Sequence, residues 1–195
     1  HGIFILGREV EKFENKLSKF LKIKNAIAVN SGTSAIYLAL KCLDLKKGDE
    51  VITTPMSWLV SSTAIKIAGG KPIFADVDEN FNLDPQSVIK KISKKTKVIL
   101  VVHFYGKIAQ IKKLKKIARK KNLVLIEDNA QAFGAKTSGK YAGTFGDIGT
   151  YSFSPMKVFG SFGNAGAVVF KNKKYHKKLK SLRTLGTVNR EICET

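Results

Sequence analysis

The chain has 195 residues, enough for one ordinary domain with a real core, and its 44% hydrophobic and 26% charged content excludes a disordered chain. No apolar run approaches the length of a membrane span, no secretory leader is visible, and two cysteines without spacing indicate a reduced, cytoplasmic protein. The formal charge of +20 raises nucleic acid as a partner, but the lysines lie along helix-like stretches as solvated faces, and zinc-finger spacing and an aromatic RNA-recognition strand are absent.

In chain order, residues 9–21 place Val10, Phe13, Leu17 and Leu21 at helical spacing. Residues 26–29 form a short apolar strand, and 33–43 a helix with Ser31 as candidate N-cap. A strand at 51–53 precedes a helix at 57–68 that Gly69-Gly70 ends, and a strand follows at 72–75. Asp84 caps a helix at 85–92 that begins with Pro85. Residues 98–102 read as a buried strand, 108–119 as a helix, 123–127 as a strand and 137–141 as a hairpin tip. Strands at 150–153 and 167–170 and a basic helix at 173–185 complete the series. Alternating helices and apolar strands predict an α/β fold: a mostly parallel central sheet with helices on both faces, in three layers. The abrupt start at His1 and the polar stretch 187–195 predict a piece of a longer protein.

Ligands of such sheets bind at the carboxyl ends of the strands. Polar and aromatic residues follow the strands at that edge: Ser31-Gly32-Thr33, Trp58, His103, Asp128 with Gln131, and Ser152 with Lys157. Ser31-Gly32-Thr33 opens a helix, where free N–H groups favour a phosphate, although small-residue caps are common. Asp128 ends a buried strand and needs a cationic partner, a protonated pyridine nitrogen among them; a helix cap or a metal ligand is the alternative. Glu127 faces the other side of the sheet, so the two carboxylates are not an acid–base pair. Trp58, the only tryptophan, suits either stacking on a planar ring or plain packing. His103 is expected to contact ring or substrate, with a core histidine as the alternative. Lys157 sits in Ser154-Pro155-Met156-Lys157-Val158-Phe159-Gly160, just past a buried strand. A lysine there serves as nucleophile and proton carrier, though alone it reads as a surface-loop lysine. No residues are assigned to a metal.

Taken together, the stretches Asn30-Ser31-Gly32-Thr33-Ser34-Ala35, Gly48-Asp49-Glu50-Val51-Ile52, Val102-His103-Phe104-Tyr105-Gly106, Ile126-Glu127-Asp128-Asn129-Ala130-Gln131-Ala132-Phe133-Gly134-Ala135, Gly146-Asp147-Ile148-Gly149 and Ser152-Phe153-Ser154-Pro155-Met156-Lys157 resemble the DegT/DnrJ/StrS family of sugar aminotransferases, fold-type I enzymes of pyridoxal 5'-phosphate (PLP). The resemblance runs from Phe4 to about Gly186 and implies a PLP-binding large domain over 1–186, N-terminally incomplete, with 187–195 leading toward a small C-terminal domain. It implies Lys157 as the Schiff-base lysine, Asp128 as partner of the pyridine nitrogen and Gln131 as partner of the ring's phenolic oxygen. Trp58 falls at the ring-stacking position, and Gly32, Thr33 and Ser152 at phosphate-holding positions. Asn129, Phe133 and Val158-Phe159 depart from the common pattern, which bears on the substrate rather than the cofactor. The implied function is amino transfer from glutamate to a nucleotide-linked keto-sugar in a homodimer with shared active sites. Alternatives are a sugar dehydratase, a branch in which this lysine is replaced, and a PLP-binding regulatory protein without turnover.

Overall fold

The computed structural model describes residues 5–188 together with 192 and 193. Seven strands make one sheet: β1 (Asn25–Val29), β2 (Glu50–Thr53), β3 (Lys71–Phe74), β4 (Thr96–Val102), β5 (Val124–Asp128), β8 (Ile148–Ser152) and β9 (Gly166–Phe170). Their order across the sheet is β1-β9-β8-β5-β4-β2-β3. Only β9 runs antiparallel to its neighbours, so the carboxyl ends of the other six share one edge. The predicted hairpin is present as β6 (Lys136–Thr137) and β7 (Lys140–Tyr141).

Helices cover both faces because the central strands are apolar on both. On one face α2 (Gly32–Lys41), α3 (Val60–Ile67) and α6 (Lys174–Arg183) pack over Ile27, Val51, Val98, Leu100, Ile126 and Val168. On the other, α4 (Pro85–Lys91) and α5 (Ile111–Lys120) cover Ile52, Ile99, Val101 and Leu125, and α1 (Arg8–Leu21) covers Tyr151, Phe153 and Val169. Burying such a set is the main favourable term in folding, about 25 cal/mol per Å² of apolar surface. The three-layer α/β architecture expected from the sequence is therefore present.

Boundaries differ mostly by one to three residues. The largest differences, three residues each, are the starts of α5, at Ile111 rather than 108, and of α3, at Val60 rather than 57. Two local hydrogen bonds hold the chain in a turn first: Met56 N–H donates to Thr54 Oγ1 (3.0 Å) and Ser57 N–H to the Pro55 carbonyl (3.0 Å). Trp58 thus precedes the helix instead of starting it. The expected connection at 187–195 falls largely outside the described residues.

Candidate active site

Two carboxylates at the end of β5 divide the polar chemistry between the two faces of the sheet. Glu127 is fully buried. Its Oε1 accepts from Phe145 N–H (2.8 Å) and Gly146 N–H (2.5 Å), and its Oε2 from Gly143 N–H (2.9 Å). His103 Nε2 lies 2.9 Å from the same Oε2. Burial pushes the Glu127 pKa up, but the His103 contact and these N–H donors outweigh it and hold the carboxyl below its ordinary value.

Asp128 is 4% exposed, and the one hydrogen bond to its carboxylate among the described residues comes from Ala130 N–H to Oδ1 (3.0 Å). Here burial prevails and raises the pKa, against the lowering pull of that N–H and of the His103 and Lys157 charges. A buried carboxylate in that condition is short of a cation.

Beside Asp128, a cleft of about 690 Å³ is lined by Trp58, Tyr105, Gln131, Met156 and Lys157, among others. Three of the expected residues, Trp58, Gln131 and Lys157, therefore share one cavity. Trp58 is 79% exposed, so its ring is available to a planar group rather than consumed by packing. Gln131 Oε1 accepts from Tyr105 N–H (2.9 Å), which fixes the side chain's direction. Lys157 is half-buried, and its ammonium donates no hydrogen bond to a described residue.

Gly32, Thr33 and Ser152 stand outside the cleft lining but together. A Cβ on Gly32 would lie 2.5 Å from the Ser152 Cβ, so only glycine lets the start of α2 approach β8. Ser31 caps α2, accepting from Ser34 N–H (3.1 Å), and the N–H groups of the first turn have no helical acceptor. The Ser152 hydroxyl is likewise without a partner among the described residues. This cradle suits an anion. The fit to PLP thus rests on three features: a cradle closed to any Cβ, a buried carboxylate lacking a cation, and a lysine lining the cleft between Trp58 and Gln131.

His103 corrects an expectation. It has no exposed surface, Nε2 meets Glu127, and Nδ1 accepts from Ala109 N–H (3.2 Å), so it supports the site from beneath instead of touching ring or substrate. Tyr105 was not singled out from the sequence. Its left-handed backbone (φ 49°) turns its N–H toward Gln131, and the signal was an aromatic directly after a strand-end His103-Phe104 pair. A larger groove of about 790 Å³ between α1, β1 and α6 carries no comparable chemistry. Its walls are mostly apolar, and its Arg183 is engaged by Glu14 (2.6 Å) and the Ala28 carbonyl (3.3 Å).

The sequence pattern of the DegT/DnrJ/EryC1/StrS aminotransferase family matches residues 1–194. The chain is 42% identical over 168 residues to a GDP-perosamine synthase of Escherichia coli O157:H7, covering 86% of this chain and 46% of the relative. It is 39% identical over 185 residues to a pleiotropic regulatory protein of Geobacillus stearothermophilus, covering 94% and 50%. Among solved structures, S. venezuelae DesV in complex with a ketimine intermediate superposes with a TM-score of 0.96 at 36% identity, covering 100% of this chain and 53% of that one. Bacillus subtilis NtdA with bound cofactor PMP gives 0.87 at 37% identity, covering 96% and 43%. The chain spans about half the length of the curated relatives it matches.

Proposed function

Because this chain belongs to the DegT/DnrJ/EryC1/StrS aminotransferase family, we propose that it is the PLP-binding domain of an aminotransferase that moves an amino group from glutamate to a nucleotide-linked keto-sugar. Residues 1–186 form that domain on this reading, and 187–195 begin the connection to a further one. The observation that carries the proposal is Lys157 lining one cleft with Trp58 and Gln131, next to the cation-deficient Asp128.

When bound, PLP supplies a carbonyl that condenses with amines and a ring that withdraws electrons. Gly32, Thr33 and Ser152 would hold the phosphate with N–H and hydroxyl donors. Trp58 would cover the ring, and Gln131 would contact its phenolic oxygen. Asp128 would keep the ring nitrogen protonated, and that cation would oppose the rise that burial gives the Asp128 pKa. Lys157 Nζ would be the nucleophile that holds the cofactor, and as a free amine it would move a proton at the donor's carbon. The net charge of +20 favours approach of a diphosphate-bearing substrate.

Leu59 (78%), Met156 (94%), Val158 (74%) and Phe162 (113%) are exposed near the Trp58 and Lys157 segments. An apolar surface of this kind is in keeping with a second copy completing the site in a homodimer. The buried free thiol of Cys42 suits a reduced cytoplasm. A regulatory protein that binds PLP without turnover is a second reading, favoured by the name of the Geobacillus relative.

Borohydride reduction followed by peptide mapping tests the assignment. The expected result is PLP fixed to Lys157 in the full-length protein, and amino transfer to a nucleotide keto-sugar that Lys157→Ala abolishes. Normal turnover in Lys157→Ala overturns it, and PLP uptake without any amino transfer favours the regulatory reading.

A further inference from the structure

The segment carrying Lys157 has few attachments to the body of the domain. Lys157 N–H bonds within the loop, to the Ser154 carbonyl (2.9 Å). Ser161 ties the far end through its N–H (2.8 Å) and its Oγ (2.6 Å), both to the Phe153 carbonyl. Between these points Met156 and Val158 are largely exposed. Phe159 is the exception. Its ring stacks on Phe133 at 4.9 Å between centroids and 20° between planes, and meets the edge of Phe153 at 5.6 Å.

Phe133 belongs to the turn after β5, two residues past Gln131 and five past Asp128. Its ring also stacks on Phe20 of α1 (5.5 Å, 15°). Phe20, Phe133 and Phe159 therefore form a column of near-parallel rings, anchored in a helix at one end and in the lysine loop at the other. We infer that the Phe133–Phe159 stack is a positioning device for Lys157, holding its loop in register with the segment that bears Asp128 and Gln131. What Lys157 does rests on the function proposed above, whereas the attachment of its loop does not.

An offset aromatic pair stabilises its partners enough that losing it loosens a tethered loop about tenfold. Phe159 is 50% exposed, so its truncation leaves the core intact. Amide hydrogen exchange on the cofactor-free protein is the direct test. Phe159→Ala and Phe133→Ala are each expected to speed exchange at Lys157 and its neighbours about tenfold while amides of β4 and β5 keep their rates. The double variant should be no faster than either single one, and Phe159→Tyr should restore the slow rate. Borohydride capture of PLP at Lys157, at limiting PLP, should fall in parallel. Unchanged exchange at Lys157 in either single variant, multiplicative effects in the double, or equal acceleration in β4 and β5 would each overturn the inference. Wild-type protein that captures no PLP at Lys157 would defeat the functional reading instead, and exchange would still decide the clamp.

Discussion

Glu127 and Asp128 are adjacent, both buried and chemically almost identical, yet they belong to different regions of the molecule. On the Glu127 side the carboxylate is fully answered: three backbone N–H groups and His103 converge on it. On the Asp128 side the groups are unfinished, with one hydrogen bond to the Asp128 carboxylate and none to the Lys157 ammonium or the Ser152 hydroxyl among the described residues. Burial is the same, so burial alone does not mark function. What distinguishes the two faces is satisfaction. A buried charge that the protein fully answers belongs to the scaffold, and one it leaves short awaits a ligand.

That contrast is breakable by mutation. Glu127→Ala should have the largest effect, a loss of about 3–5 kcal/mol in urea unfolding, because it strands His103 and three N–H groups. Its pH signature follows from the lowered carboxyl. Glu127 contributes stability above its unfolded pKa, near 4.5, and that contribution disappears as pH falls through the lower folded value. The gap between wild type and Glu127→Gln should therefore close on acidification.

Gly32→Ala comes next, at about 1–3 kcal/mol, since the new methyl meets the Ser152 Cβ at 2.5 Å. Adding Ser152→Gly should recover part of that loss in the unfolding midpoint; no recovery would mean the strain lies elsewhere. Asp128→Asn should cost least, within about 1 kcal/mol, while abolishing PLP retention measured by absorbance. Its pH signature has the opposite sign to that of Glu127. With a raised native pKa, wild type loses stability as pH climbs above 3.8, because the unfolded chain ionises first, and the variant should not. Equal costs for the Glu127 and Asp128 variants would erase the distinction between the two faces.

The order of elements was legible in the sequence because periodicity reports burial, and runs such as Val98 to Val102 have no other use. The strand-end edge was legible too, because ligand groups follow strands in a parallel sheet. The start of α3 was not: Thr54 and Pro55 close a turn that competes locally with the helix, and apolar spacing is blind to it. His103 was misplaced for a related reason. A histidine at a strand end looks the same whether or not a carboxylate waits beneath it, and that carboxylate lies 24 residues away.

By itself, then, the sequence determined the layered α/β class, the edge at which chemistry collects and the residue types found there, since these depend on local pattern and chain order. The tertiary structure decided which of those residues face a common cleft, which of two neighbouring carboxylates is answered, and what holds the lysine loop. Those outcomes depend on contacts between distant segments: Gly143 to Gly146 reaching Glu127, Ser152 closing on Gly32, and Phe159 stacking on Phe133. No local pattern encodes a partner that folding alone brings near.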